Sequence, residues 1–255
     1  MSRRMTLTAL AGLPTIRPGD DLGALLAEAM HGNGIEAADG DVLVVAQKIV
    51  SKAEGRLVQL RDVTPGERAE ALAAKAGKDP RVVELILRES ADVVRCQPGV
   101  IIVEHRLGMV MANAGIDASN VEGSEADEAV LLLPEDPDRS AAGLRAALQR
   151  LLGRDIGVVI NDSFGRAWRN GTIGTAIGVS GPPALWDMRG IADRNGRSLR
   201  HTEVGIADEV AAAASLLMGQ AAEGLPAVHM RGFPLSFRPG DASELLRSKK
   251  HDLFR

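Results

Sequence analysis

Residues 156–171 read IGVVINDSFGRAWRNG. Ile156 to Ile160 is an unbroken apolar run with the length and composition of a buried strand. A polar segment follows without a spacer: Asn161, Asp162 and Ser163, then Arg166 and Arg169. A strand that ends in a carboxylate and a hydroxyl holds both on a rigid base. Mg(II) and Mn(II) prefer such oxygens and share a few protein ligands with substrate phosphates. The segment therefore has the ingredients for metal plus phosphate, although a helix cap with exposed arginines accounts for it equally well. Beyond it, Gly165, Gly171, Gly174, Gly178 and Gly181 mark backbone that turns often or approaches something closely.

Working outward, Val42 to Ala46 (VLVVA) is a second short apolar run read as a buried strand, and Met5 to Leu10 alternates like a half-buried one. Asp20 is expected to cap a helix with the stripe Leu22, Leu25, Leu26 and Met30, closed by Gly32. Thr64-Pro65-Gly66-Glu67 reads as a capping box, and Asp79-Pro80 opens a further helix through Arg88. Gly99 to Glu104 and Gly108 to Ala112 flank a turn and predict a hairpin. Val130 to Leu133 is another apolar run. Helices are expected over Ser140 to Leu152 and Ile206 to Met218, with a final strand at Ala227 to Met230. No clean strand–helix–strand alternation appears, which disfavours a doubly wound sheet. The expectation is an α+β fold: mixed or antiparallel sheets with flanking helices, in one domain over 1–255 that two closely packed subdomains can share.

Composition excludes several function classes. The chain has 255 residues, 45% hydrophobic and 25% charged, enough for a sizeable core. A net charge of -4 lacks the basic footprint of a general nucleic-acid binder. Four Phe, two Trp and no Tyr give little to stack bases on. The single cysteine, Cys96, forms neither an intramolecular disulfide nor a thiolate cluster, and no apolar run approaches a membrane span. A cytoplasmic protein without a targeting segment is the expectation. No GxxxxGK[ST] loop, GxGxxG, HExxH, CxxC or GxSxG is present, so P-loop and Rossmann nucleotide sites, zincins and α/β-hydrolases are disfavoured.

Four other polar stretches remain. Leu13-Pro14-Thr15-Ile16 begins a rigid turn before the first helix, a loop by its turn chemistry. Gln47, Lys48, Lys52 and Arg56 follow the strand VLVVA, where cations on a rigid base suit an anion such as phosphate. Asp117 and Asn120 sit among small residues in NAGIDASN; an Asx-turn explains them, and Asp117 is also a plausible hard-cation ligand. In Thr202 to Glu209, Asp208 and Glu209 fall in a helix's first turn, where the dipole favours carboxylates, while Glu203 is a candidate ligand.

Taken together, QKIVSKAEGR, NAGIDASNVEG, VINDSFGRAWRNG…IGTAIGVSG and EVGIADEVAAAASLLMGQ…GLPAVHMRG resemble the F-420-0:gamma-glutamyl ligases from about Leu13 onward. The resemblance implies a GTP-dependent ligase that needs Mg(II) or Mn(II), adds L-glutamate to the deazaflavin F-420-0 and works as a homodimer. It implies that Asp117 and Asp162 ligate a metal, that Ser163 (commonly Thr in the family) serves a second, and that Glu203 is a further acidic ligand. It also implies GTP contacts from Leu13, Pro14, Thr15, Ile16, Gln47, Lys48, Lys52, Asn120 and the run Thr202, Glu203, Val204, Gly205, Ile206, Ala207, Asp208 and Glu209. Lys52 and Arg166 would offset charge on the transferred phosphoryl group. Some relatives continue into a flavin-binding reductase domain; none is expected here. Two other readings use the same residues: a metal-dependent phosphohydrolase or phosphotransferase, which needs no amino-acid acceptor, and a GTP-binding regulatory module, which binds without turnover.

Overall fold

The structure is a computed structural model that describes residues 3–117 and 129–252. Two apolar runs of the sequence lie side by side in it: β2 (Val42–Ala46) and β8 (Gly157–Arg166) pair in parallel, Val42 opposite Gly157 and Ala46 opposite Asn161. The other pairings of their five-stranded sheet are antiparallel. β12 (Ala227–Arg231) joins β2, β1 (Thr6–Ala9) joins β12, and β9 (Arg169–Ser180) joins β8, for the order β1-β12-β2-β8-β9. Buried on both faces, β2 and β8 need continuous apolar sequence, which is what the sequence supplies.

Alternation along these strands feeds two cores. Leu43, Val45, Val158 and Ile160 point to one face, where α1 (Leu22–Gly32) and α5 (Pro137–Leu152) contribute Leu26, Met30, Leu144 and Leu148. Val42, Val44 and Val159 point to the other, against Val210, Ala211 and Ala214 of α6 (Ile206–Met218). The helix α2 (Gln47–Ala53) starts directly where β2 stops. A third core lies under α3 (Glu67–Ala76), α4 (Pro80–Arg88) and the antiparallel sheet of β4 (Ser90–Gln97), β5 (Val100–His105) and β6 (Val110–Ala112). Small two-stranded sheets complete the architecture: β3 (Leu57–Gln59) with β7 (Ala129–Leu131), and β10 (Trp186–Asp187) with β11 (Glu203–Val204). The expected α+β class is what the structure shows. Among the described residues no helix is long and apolar enough to cross a membrane.

Several local expectations are corrected. Asp21, not Asp20, caps α1 by accepting from the Ala24 amide (3.0 Å); Asp20 instead accepts from Arg17 (2.7 Å) and closes the preceding turn. Thr64 caps nothing: α3 begins after Gly66, whose amide donates to Glu84 Oε2 (3.1 Å). Most important, the polar stretch after IGVVI is not a loop or a cap. β8 runs on to Arg166, turns through Ala167 and Trp168, and returns as β9. The strand outlasts its apolar run because pairing with the Gly-rich segment satisfies its backbone.

The third core is tied to the rest through Glu89 at the end of α4. Its Oε2 accepts from Arg56 Nη2 (3.0 Å) and Arg106 Nε (3.1 Å), with His105 Nε2 at 3.6 Å. Burial alone would raise this carboxyl's pKa; the His105 ring and the two guanidinium charges outweigh it and hold the group at about 2. A depressed pKa contributes stability that is complete above the ordinary 4.5 and is lost as pH falls towards 2. Glu89→Gln is therefore expected to destabilise the protein by on the order of 3 kcal/mol near neutrality. Urea unfolding at several pH values checks this, and the gap to wild type should close between pH 4.5 and about 2.

Candidate functional site

The parallel pair sets the place of the site. In open sheets, ligands favour the crevice outside the carboxyl ends of parallel strands, where loops diverge. Here β2 ends at Ala46 and delivers Gln47 and Lys48, while its neighbour β8 delivers Asn161, Asp162 and Ser163 at the same level. A cavity of about 620 Å³ opens there, within the ~300–1,000 Å³ range of small-molecule sites.

Each wall has a local cause. Leu13 to Ile16 line one side; their loop is tied to α2 because the Gly19 amide donates to the Ala53 carbonyl (2.8 Å). Gln47 is buried at the floor, its Oε1 accepting from Ser51 Oγ (2.9 Å). Lys52 lies one helical turn beyond Lys48, and among the described residues it has no ion-pair partner. Asp117 arrives through a left-handed turn: Asn113, Ala114 and Gly115 have φ of 51°, 53° and 66°. Asn113 Oδ1 helps to fix that turn by accepting from the Ile101 amide (3.1 Å). Three successive left-handed residues are costly and persist only where the surroundings impose them.

Charge is concentrated where these walls meet. Lys48 Nζ lies 2.6 Å from Asp117 Oδ2. Burial pushes the Asp162 carboxyl up to about 6; the Asp117 charge pushes the same way, and the Ser163 amide and Lys48 pull it back. Two carboxylates that disfavour each other's charge, with a serine hydroxyl alongside, fit a hard divalent cation. Among the described residues no group of three His, Cys, Asp or Glu is arranged to hold a metal. Among the described residues, Asp117 and Asp162 are the carboxylates that could hold such a cation, with the Ser163 hydroxyl placed for a second, and Mg(II) and Mn(II) commonly add water and phosphate oxygens to so few protein ligands.

Sequence comparison gives the family. The sequence model of the family described as F420-0:Gamma-glutamyl ligase matches residues 12–232. The chain belongs to that family. It is 48% identical to the coenzyme F420:L-glutamate ligase of Methanopyrus kandleri, covering 96% of this chain and 100% of the relative. It is 44% identical to that of Methanothermobacter thermautotrophicus (98% and 99% covered) and 41% identical to that of Halobacterium salinarum (97% and 94%).

For this family member the cavity gathers Leu13, Pro14, Thr15, Ile16, Gln47, Lys48, Lys52, Asp117, Asp162 and Ser163 from four separate stretches of sequence. Asn120 lies outside the described residues. Other expected residues are elsewhere. Arg166 belongs to the β8–β9 hairpin, where its Nη2 donates to the Asn170 carbonyl (3.0 Å). Glu203 pairs with Arg189 (3.2 Å) on β11, and neither it nor its neighbours Thr202, Val204 and Gly205 line the cavity. Ile206 and Ala207 are buried at the start of α6, Glu209 is in its first turn, and Asp208 accepts from the Ala176 amide (2.9 Å).

The segment that does close the cavity beside α6 lies at the other end of that helix. Met218, Gly219, Gln220, Ala221, Glu223, Gly224, Leu225 and Pro226 line it, and the Ala46 amide donates to the Pro226 carbonyl (2.8 Å), tying this loop to the end of β2. Sequence reasoning missed it. The signal was present in Gly219, Gly224 and Pro226, turn residues just before a strand that pairs with β2.

Gly115 is the residue on which the placement of Asp117 depends most. With φ at 66°, a Cβ there would stand 2.6 Å from Met111 Cε and 3.0 Å from the Leu133 side chain. Gly115→Ala is expected to cost about 1–3 kcal/mol. Gly143→Ala, on an open face of α5 with nothing within 4 Å, is expected to gain about 0.5–1 kcal/mol. Urea midpoints of the two variants measure both, and an unshifted midpoint for Gly115→Ala would contradict the strained-turn account.

Proposed function

We propose that this chain is a GTP- and divalent-metal-dependent ligase that joins L-glutamate to the deazaflavin F-420-0 through an acyl phosphate and then adds further γ-linked glutamate. The observation that carries the reading is the meeting of Asp117 and Asp162 with Lys48 and Lys52 at the carboxyl ends of β2 and β8, in a chain of this family. The homodimer expected from the resemblance belongs to the same proposal.

The chemistry follows from the needs of an amide bond. A carboxylate oxygen is a poor leaving group, so the acceptor's terminal carboxylate attacks the γ-phosphorus of GTP, the β–γ bond breaks, and an acyl phosphate and GDP form. The amine of L-glutamate then attacks the acyl carbon, phosphate departs, and the ammonium's protons pass to solvent. Phosphoryl transfer of this kind is mostly positioning and charge neutralisation. A bound Mg(II) or Mn(II) supplies the Lewis acidity that offsets charge on the phosphate oxygens. Asp117 and Asp162 would hold it, and Ser163 would serve a second ion.

The chain's own residues do the rest. Lys52, without an ion-pair partner among the described residues, neutralises the transferred group from the end of α2. Leu13 to Ile16 and the loop 218–226 both line the cavity and would enclose the nucleotide. That loop takes the place given on sequence grounds to Thr202–Glu209. Arg166, held to Asn170, has no part in this scheme.

Incubation with F-420-0, GTP, Mn(II) and L-glutamate is expected to give products heavier by whole glutamyl units. No increment, with a known ligase working in parallel, overturns the proposal, and rapid GTP hydrolysis without an acceptor would favour a phosphohydrolase. Asp162→Asn is expected to lower glutamylation by about two orders of magnitude or more while leaving the fold intact. Full activity in that variant removes Asp162 from the metal site.

A further inference from the structure

Phe164 lines the large cavity and also a second one, of about 230 Å³. Met109, Ile177, Leu245 and Leu246 supply apolar walls. Thr175 and three carboxylates, Asp136, Asp138 and Asp208, interrupt them, and no lysine, arginine or histidine is among the described residues lining it.

The two inner carboxylates are held rigidly. Asp138 Oδ1 accepts from the amides of Val179 (2.8 Å) and Ala242 (2.9 Å), and Asp208 Oδ1 from that of Ala176 (2.9 Å). The second oxygen of each has no hydrogen-bond partner among the described residues. Desolvation raises both groups' pKa values, with the amide bonds opposing it, so each gains from a donor that arrives with a ligand. Charge complementarity then restricts the occupant. Phosphate and free carboxylate are repelled by the acidic lining and find no cation. A flat, uncharged ring edged with N–H or O–H donors meets apolar walls on its faces and carboxylate oxygens at its rim. The volume falls below the ~300 Å³ of sites for whole drug-sized ligands, which suits a fused ring and not its phosphate-bearing tail.

We infer that this second cavity receives the fused heteroaromatic ring of the acceptor, its edge donors bonded to Asp208 and Asp138, while the acceptor's anionic tail passes Phe164 into the Lys48–Lys52 cavity. The inference rests on the function proposed above. The guanine ring of the nucleotide offers the same N–H edge, so the test separates the two sources.

Asp208→Asn keeps an oxygen for the Ala176 amide and turns the other oxygen into a donor facing a donor. Leu246→Trp, at a residue 38% exposed, fills the mouth without touching either carboxylate. Fluorescence titration of the full-length variants with F-420-0 is expected to show affinity weakened at least about tenfold by each. Calorimetric titration with GDP and Mg(II) should stay within about twofold of wild type, with unchanged melting temperatures. Unaltered F-420-0 affinity in both folded variants overturns the inference; if wild type still glutamylates, the proposed function survives that result. Lost GDP affinity with F-420-0 affinity kept assigns the cavity to guanine and overturns it as well. A wild type that neither binds F-420-0 nor glutamylates brings down the proposed function, and this inference with it.

Discussion

The parallel pairing of β2 with β8 is the constraint on which the rest of the site depends. It sets Ala46 opposite Asn161, so the residues just beyond each strand's apolar run emerge together. Antiparallel pairing would send one polar segment to the opposite edge of the sheet. A slip by one residue would exchange the faces presented by Asn161 and Asp162. Asn161 now donates towards α6, to Ser215 Oγ (3.1 Å), while Asp162 stands within electrostatic reach of Lys48 and Asp117. The valine-rich runs that bury both faces of the pair are therefore what hold the register on which the chemistry rests.

Electrostatics at this crevice pulls against folding and towards ligand binding. Asp162 is buried enough to hold its proton up to about pH 6, and Asp117 beside it adds repulsion. Lys48 offsets part of that charge. Acidic repulsion beside a lysine that has no ion-pair partner among the described residues supports the proposal of a cation and an anion arriving together, the form in which a nucleoside triphosphate travels. The strained turn at Asn113–Gly115 fits the same picture, since it spends stability to hold Asp117 where the charge is needed.

Much of this was legible in the sequence because it rests on local patterns. Apolar runs located β2, β8 and β12, helical spacing located α1, α5 and α6, and the α+β class followed from the lack of alternation. The polar residues that follow β2 and β8 were readable for the same reason: a buried strand announces where the next side chains must appear. What was not legible depends on partners distant in sequence. The extension of β8 to Arg166 required β9 to pair with it, and glycine-rich β9 has no strand signature of its own. Thr64 was displaced as a cap by Glu84, which lies on another helix. The resemblance pointed to Thr202–Glu209 and the first turn of α6, yet the sheet brings the other end of that helix, Met218 to Pro226, to the cavity. Only the pairing of β12 with β2 determines which end that is.

The central claim is that one crevice couples nucleotide cleavage to amide formation through an activated carboxylate. An F-420-0 acceptor carrying heavy-isotope oxygen in its terminal carboxylate, incubated with GTP, Mn(II) and L-glutamate, tests this most directly by mass analysis of the released phosphate. The account predicts one labelled oxygen in the phosphate released as the first glutamate is joined, and unlabelled phosphate from each later addition. Mono-glutamylated product accompanied only by unlabelled phosphate would contradict it.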